Sequence, residues 1–432
     1  MTAPDPHTCG AAVDAAGFWV DDQGHRAFLR SDALRQLEFF EASLGETPGF
    51  QQLDMQGSQR PDDLQELHST TRLVHCHALA EMIGLAGAGK MVEQGLAYLR
   101  DYHHDKVHGG YVWGLRGDQV ADPRKLAYGH VFVLLAASTA KMAGHASADP
   151  LLSDVADVLA ERFWEEEAGL FADEWSRDWS PFSTYRGMNA NMHGVEALLA
   201  AYEATGQELF LHRAGRILDR FTVQIAPQEG WRLPEHYTEN WQIDRAYSGD
   251  PMFRPAGTTP GHSLELGRLL LHYWDLTDRR DATAPKRARA LIEQALTDAW
   301  MVGAKAEGYS IEGGLAYTLN FDGSIAMANR FWWPVTEAIG ALATLIKLER
   351  RDEDEHWYRR LWQFASARFV DHENGGWIPE IDPSGKPKMT IFEGKPDLYH
   401  SFQACLFPLA KTPIAHIRSV QALGRDFLAS PI

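Results

Sequence analysis

Five short segments of this chain set ionisable or aromatic side chains immediately before or inside a strongly apolar run. Arg72, His75 and His77 stand in TRLVHCHALA (71–80), and Asn189 and His193 in RGMNANMHGVE (186–196). His262 and Glu265 stand in PGHSLEL (260–266), Trp333 and Glu337 in RFWWPVTEA (330–338), and Asp397 and His400 in KPDLYHSFQ (395–403). Spacings of three and four residues put the members of each set on one helix face. An imidazole, with its ordinary pKa near 6.5, suits proton transfer at neutral pH. The carboxylates Glu265, Glu337 and Asp397 leave open the acid/base pair of a glycoside hydrolase. His262 and Glu265 alone make a short and unspecific metal-ligand pattern, and no metal is expected. Taken singly, each residue has a plainer role: Asp397 as a helix N-cap, Glu265 as first-turn acid, Trp333-Pro334 as a helix entry. Repetition is what argues for a site, because ionisable groups at the mouth of a core need a reason.

The elements that must position them are helical. Apolar residues recur at three- and four-residue intervals over 78–100, 130–143, 151–164, 193–206, 208–222, 262–277, 285–300, 336–350 and 356–370. Between them a glycine is repeatedly joined to aromatics, as in HGGYVW (108–113), EGGLAY (312–317) and NGGW (374–377). The marks Gly110, Gly169, Gly230, Gly314 and Gly376 are 59, 61, 84 and 62 residues apart. Two helices and their loops fill about 60 residues, so each step reads as one helical hairpin. The longer step holds an insertion around 233–260. With an N-terminal helix near 31–43, six hairpins result. An open solenoid needs polar end caps, yet the last unit, HSFQACLFPLA (400–410), is apolar. The expected fold is therefore all-α: an (α/α)6 toroid of six helical hairpins with short loop or β-hairpin insertions at one face. It is read as a single domain over 1–432, with a core of about 25–425 and residues 1–15 disordered.

Composition narrows the function. The chain has 432 residues and a formal charge of −18, which disfavours nucleic acid and anionic membranes as partners. No run approaches the ~18 apolar residues of a membrane span, and the first residues lack a signal-peptide pattern. Cys9, Cys76 and Cys405 are too few and too scattered for a disulfide framework or a zinc site. A cytoplasmic monomer or homodimer acting on a small molecule is expected. Phosphate-loop, dinucleotide-binding and nucleophile-elbow signatures are absent.

The segments RLVHCHALAEMIG, MNANMHGVEALLAAYEATG, FRPAGTTPGHSLELGRLLL, RFWWPVTEAIGAL and KPDLYHSFQACLFP, in order over about 70–410, resemble the N-acylglucosamine 2-epimerase superfamily. Within it, RLVHCHALAEM, GHSLELGRLLL and KPDLYHSFQA are most similar to the bacterial D-mannose isomerases. The resemblance implies a metal-free (α/α)6 barrel that interconverts D-mannose and D-fructose, with D-lyxose and D-xylulose as further substrates, through a cis-enediolate. It implies that His262 and His400 are the catalytic acid/base pair, and that Arg72, Asn189 and His193 hold the substrate oxygens at C1 and C2. Glu265 would orient or charge-balance His262. Trp333 and Glu337 would bind the sugar, with Tyr111 and Arg254 as further contacts. No cofactor is implied. The alternatives are a 2-epimerase of the N-acylglucosamine or cellobiose type on the same scaffold, an inverting glycosidase, and a non-catalytic helical scaffold.

Overall fold

Some helices here are apolar nearly all round and others along one stripe, and this difference sorts them into two concentric layers. The computed structural model describes residues 17–429, apart from 46–47, 62, 250–253, 309–310 and 425. The disorder expected for 1–15 lies outside the described residues. In chain order the helices are α1 (Gln23–Glu41), α2 (Leu67–Met82), α3 (Ala88–Tyr98), α4 (Ala127–Ala143), α5 (Ala148–Val158), α6 (Met188–Thr205) and α7 (Glu208–Asp219). They continue with α8 (Pro260–Leu276), α9 (Ala284–Ala299), α10 (Trp332–Leu348), α11 (Asp352–Arg368), α12 (Tyr399–Leu409) and α13 (Ile417–Leu423).

The even-numbered helices form the inner ring, each packed on the next, with α12 closing back onto α2. Their burial is nearly continuous; in α4 every residue from Gly129 to Ala140 is buried. The odd-numbered helices α3 to α11 each lie outside the even helix before them, and α1 lies outside α12, completing a sixth hairpin from the two ends of the fold. The outer helices bury one stripe only, as α7 does with Phe210, Leu211, Ala214, Ile217 and Leu218. The six expected hairpins are all present. One boundary differs. The apolar run 78–100 is the end of α2, a turn and then α3, because Gly84 and Gly87 take φ of +92° and +90° and reverse the chain. Periodicity alone does not register a turn whose flanking helices are both apolar.

The five spaced glycines do share one task. Gly110, Gly169, Gly230, Gly314 and Gly376 all have positive φ, between +61° and +75°, where a Cβ is disfavoured. Each turns the chain from an outer helix back toward the mouth of the ring. There a circle of short antiparallel links joins neighbouring hairpins just before the inner helices begin. Gln65–Glu66 pairs with 114–115, Lys125–Leu126 with Glu174–Trp175, Arg186–Gly187 with His236–Tyr237, and Arg330–Phe331 with Glu380–Ile381. Single bridges complete it: Thr258 with Leu319, and Lys395 with Leu53. The start of every inner helix is thus tied to the next hairpin, which fixes the residues at the mouth. At the other end α13 packs against α2, α6 and α12. Among the described residues no helix is long and apolar enough to cross a membrane.

Candidate active site

Two imidazoles from different inner helices meet at the mouth. His262, in the first turn of α8, and His400, in the first turn of α12, rest against the same indole, that of Trp333, with ring centroids 5.0 and 5.8 Å away. Each ring is held by a carboxylate at Nδ1. Both oxygens of Glu235 lie 2.9 Å from His262 Nδ1, and Glu337 Oε1 lies 2.8 Å from His400 Nδ1. An ionised carboxylate only accepts, so each Nδ1 donates and Nε2 is the nitrogen left for other partners. Burial pulls His400 below its ordinary pKa, and the bond to Glu337 only partly opposes that, so the neutral base is the favoured form. Burial alone would raise Glu337, but the Arg268 guanidinium and His400 hold it down at about 2. Arg268 donates from Nε and Nη2 to Glu337 Oε2, at 3.2 and 3.0 Å.

One cationic donor, a neutral imidazole and an amide line the neighbouring wall. Arg72 donates to Asp397 Oδ2 at 3.0 Å and to the Tyr128 hydroxyl at 2.8 Å. Its guanidinium lies between the Phe132 and Tyr399 rings, 4.6 and 4.7 Å from their centroids. Burial works against ionising Asp397, but Arg72, His400, His68 and the Tyr399 N–H together outweigh it and keep the carboxylate below its usual range. His193 sits 6.4 Å from His400, centroid to centroid, and its buried Nδ1 has no hydrogen-bond partner. Burial, with the charge of Arg72, pushes His193 well below its ordinary value, so it stands neutral. Asn189 Oδ1, one turn earlier on α6, is also buried without a protein partner. The mouth therefore brings together two carboxylate-held imidazoles, the Trp333 indole and the Arg72 and His193 side chains.

The chain matches the sequence profile of N-acylglucosamine 2-epimerase (GlcNAc 2-epimerase) over residues 49–404. The chain belongs to the N-acylglucosamine 2-epimerase family. It is 40% identical to the D-mannose isomerase of Thermobifida fusca over 90% of this chain and 96% of that protein. Its identity to the D-mannose isomerase of Pseudomonas cannabina pv. alisalensis is 36%, over 94% of this chain and 98% of that protein. A crystal structure of D-mannose isomerase superposes with a TM-score of 0.83 at 30% identity, covering 92% of this chain and 99% of the other. This member of the N-acylglucosamine 2-epimerase family is accordingly an isomerase, in the broad sense that includes the family's epimerases.

Among the residues singled out from sequence, the structure brings together Arg72, Asn189, His193, His262, Glu265, Trp333, Glu337 and His400 at or just beneath the mouth of this epimerase-family barrel. Two tasks are distributed differently from expectation. Glu265 does not touch His262; Glu235 does. Glu265 lies deeper, 3.5 Å from His193 and 3.8 Å from Arg268, with neither oxygen hydrogen-bonded. Burial and the nearby Glu337 and Glu196 push its carboxyl well above the usual range. Glu337 is spent on His400 and Arg268 rather than facing open space. Two further residues are engaged with other partners. The Tyr111 hydroxyl donates to Asp154 on the outer helix α5 at 2.7 Å. Arg254 is bound to both oxygens of Glu174 at 3.1 Å and stacks over Tyr185. His75 is bonded to Thr139, and His77 is buried with both nitrogens unpartnered, so neither faces the mouth pair.

Sequence reasoning passed over Glu235, Arg268, Tyr128, Tyr399, Glu196 and His68. Tyr399 donates its hydroxyl to Glu196, below His193. His68 stacks flat on Trp113, centroids 5.1 Å apart, and also borders Tyr128. Arg268 and Glu196 stand three residues after Glu265 and His193, a helical spacing that was legible.

The donors fit a metal poorly at this site. Glu265, Glu337 and His400 cluster closely enough for one. The Arg268 guanidinium already faces Glu337, however, and His400 already spends Nδ1 on that same carboxylate. The three carboxylates considered for glycoside hydrolysis are not a free pair: Asp397 is paired with Arg72, Glu337 with Arg268, and Glu265 has no exposure at all.

Proposed function

We propose that the chain interconverts D-mannose and D-fructose, and also D-lyxose and D-xylulose, by proton transfer through a cis-enediolate without a metal or other cofactor. The observation that carries this reading is the pair His262 and His400, each bound through Nδ1 to a carboxylate and both resting on Trp333. Identity to D-mannose isomerases over nearly the whole chain supports the choice of sugar.

In this scheme His262 assists opening of the sugar ring. Nε2 of His400 then takes the proton from C2 of the open-chain aldose. The C2–H electron pair forms the C1–C2 double bond, and the aldehyde oxygen takes the negative charge. That charge develops where Arg72 and His193 present donors, and preorganised donors of this kind supply the largest electrostatic contribution in many enzymes. His400, whose Nε2 proton exchanges with solvent, delivers a proton to C1 on the same face. The C2 hydroxyl gives its proton to His262 and the C1 oxygen takes one from it, leaving the ketose. His262 exchanges the oxygen-bound protons. Trp333 offers a flat face for the sugar's C–H groups. A neutral His400 favours the base role at neutral pH.

The second reading, a 2-epimerase, rests on the fact that His262 and His400 come from different helices, since a donor on the opposite face of the enediolate would invert C2. Incubation of the purified chain with D-mannose in deuterated water containing EDTA decides between them. Fructose carrying deuterium at C1 is the expected product. Glucose formed faster than fructose selects the epimerase, and the absence of both product and exchange rejects the reading.

A further inference from the structure

The closed end of the ring carries a second cluster of titratable groups that sugar chemistry at the mouth does not use. Glu203 comes from the last turns of α6, His272 from α8, and His416 from the segment just before α13. One ligand atom from each lies within 4.8 Å of the others, and the three residues are mostly or wholly buried. His272 Nε2 lies 3.1 Å from Glu203 Oε1, and the two imidazole centroids are 4.3 Å apart. Asp275 Oδ2 takes Nε2 of His416 at 2.8 Å, whereas Nδ1 of His416 is buried with no partner. A cavity of about 30 Å³ adjoins both imidazoles, enough for about one water molecule.

We propose that Glu203, His272 and His416 form a divalent-cation site, best suited to zinc, that fastens the C-terminal segment across the floor of the barrel. Two histidines and one carboxylate are a common zinc donor set, with a water completing the tetrahedron. Tetrahedral donors stand about 3.3 Å apart, so the cluster has to contract by no more than about 1.5 Å. Asp275 supplies the carboxylate that metal-bound imidazoles usually have on their other nitrogen. The carboxylate of Glu203 also accepts the backbone N–H groups of Ile417 and Arg418, at 3.4 and 3.2 Å, so an ion there would act directly on the approach to α13.

The test uses the full-length protein, stripped with EDTA and titrated with zinc and with cobalt(II). One equivalent of either metal is expected, with visible cobalt bands of a four- or five-coordinate site and a zinc-dependent rise of several degrees in Tm. Asp275→Asn should weaken zinc binding by about 10- to 100-fold, and His416→Ala should abolish the cobalt bands. Glu337→Gln should leave them intact, which assigns the ion to the floor and not to the carboxylates around His400. Failure of the wild-type protein to take up metal at tens of micromolar, or cobalt bands that survive His416→Ala, would overturn the proposal and leave a purely hydrogen-bonded fastening.

Discussion

Glu235 reaches His262 from 27 residues upstream and presents both carboxylate oxygens 2.9 Å from the imidazole Nδ1. It arrives there through the circle of β links: the N–H of Met188, the first residue of α6, donates to the Glu235 carbonyl, and the next residues, His236 and Tyr237, pair with Gly187 and Arg186. The backbone is pinned, so the carboxylate has one reachable target. Glu235→Gln keeps the shape and removes the charge that fixes the tautomer and balances a protonated ring. The expected outcome is a fall in kcat of about 10²–10⁴-fold with KM changed only a few-fold. Steady-state kinetics on mannose check it, and a change confined to KM would place Glu235 in binding alone.

Glu337 supports both a base and a buried cation, since His400 and Arg268 both bond to it. Glu337→Ala strands the Arg268 guanidinium in a site where that residue is only 5% exposed. Removing one partner of a buried pair costs about 3–5 kcal/mol. The unfolding free energy from denaturant titration should fall by that amount, and turnover should fall with it. Glu337→Gln keeps an acceptor and should recover part of the stability but little of the rate.

These two carboxylates show where sequence was a sufficient guide. Glu337 lies on a helical segment four residues after Trp333, and helical spacing places the two on one face. Glu235 lies in LPEHY (233–237), where no period applies and only the pairing of distant strands decides its position. Five of the six hairpins were legible because each is followed by a glycine with positive φ, a local signal that repeats, and the sixth was legible from the N-terminal helix. Closure of the ring was inferred from the apolar last unit, and the fold bears it out through α12 against α2 and α1 against α12. The pairing of Tyr111 with Asp154 and of Arg254 with Glu174 joins residues 43 and 80 positions apart, which periodicity does not relate.

Acid should unfold this protein steeply. Burial holds His25, His68 and His130 near pKa 3, and His75, His77 and His103 near 4. In the unfolded chain these groups titrate near 6.5. Between pH 6.5 and about 4 the unfolded chain therefore binds protons that the folded chain refuses, so stability falls as pH falls. Glu66 and Asp173, raised by burial to about 7, act in the opposite sense but are fewer. Denaturant midpoints measured from pH 8 to 5 should decline through the lower half of that range. A flat profile would mean that the buried histidines carry charge in the fold.

The acid limb of kcat/KM follows from the same physics at one residue. Burial lowers His400, and its bond to Glu337 restores only part of the shift. The base form therefore persists to lower pH than in a free imidazole, and activity should be lost on acidification with a midpoint below 6.5. A midpoint above 6.5 in the free enzyme would contradict a buried neutral His400 acting as base.

Arg72 tests the electrostatic part of the scheme separately from the proton transfer. Its planar fork bonds Asp397 and Tyr128 at once while the guanidinium lies between Phe132 and Tyr399, a geometry that a lysine ammonium does not reproduce. Arg72→Lys keeps a positive charge near Asp397 but loses the oriented donors that the proposed scheme assigns to the enediolate oxygens. The expected loss in kcat is about 10²–10³-fold. Exchange of the C2 proton with solvent should slow by the same factor, because the charge being stabilised appears in that step. In Arg72→Ala, added guanidinium should restore part of the rate. Loss of substrate affinity with exchange unchanged would show that Arg72 grips the sugar without stabilising the oxyanion.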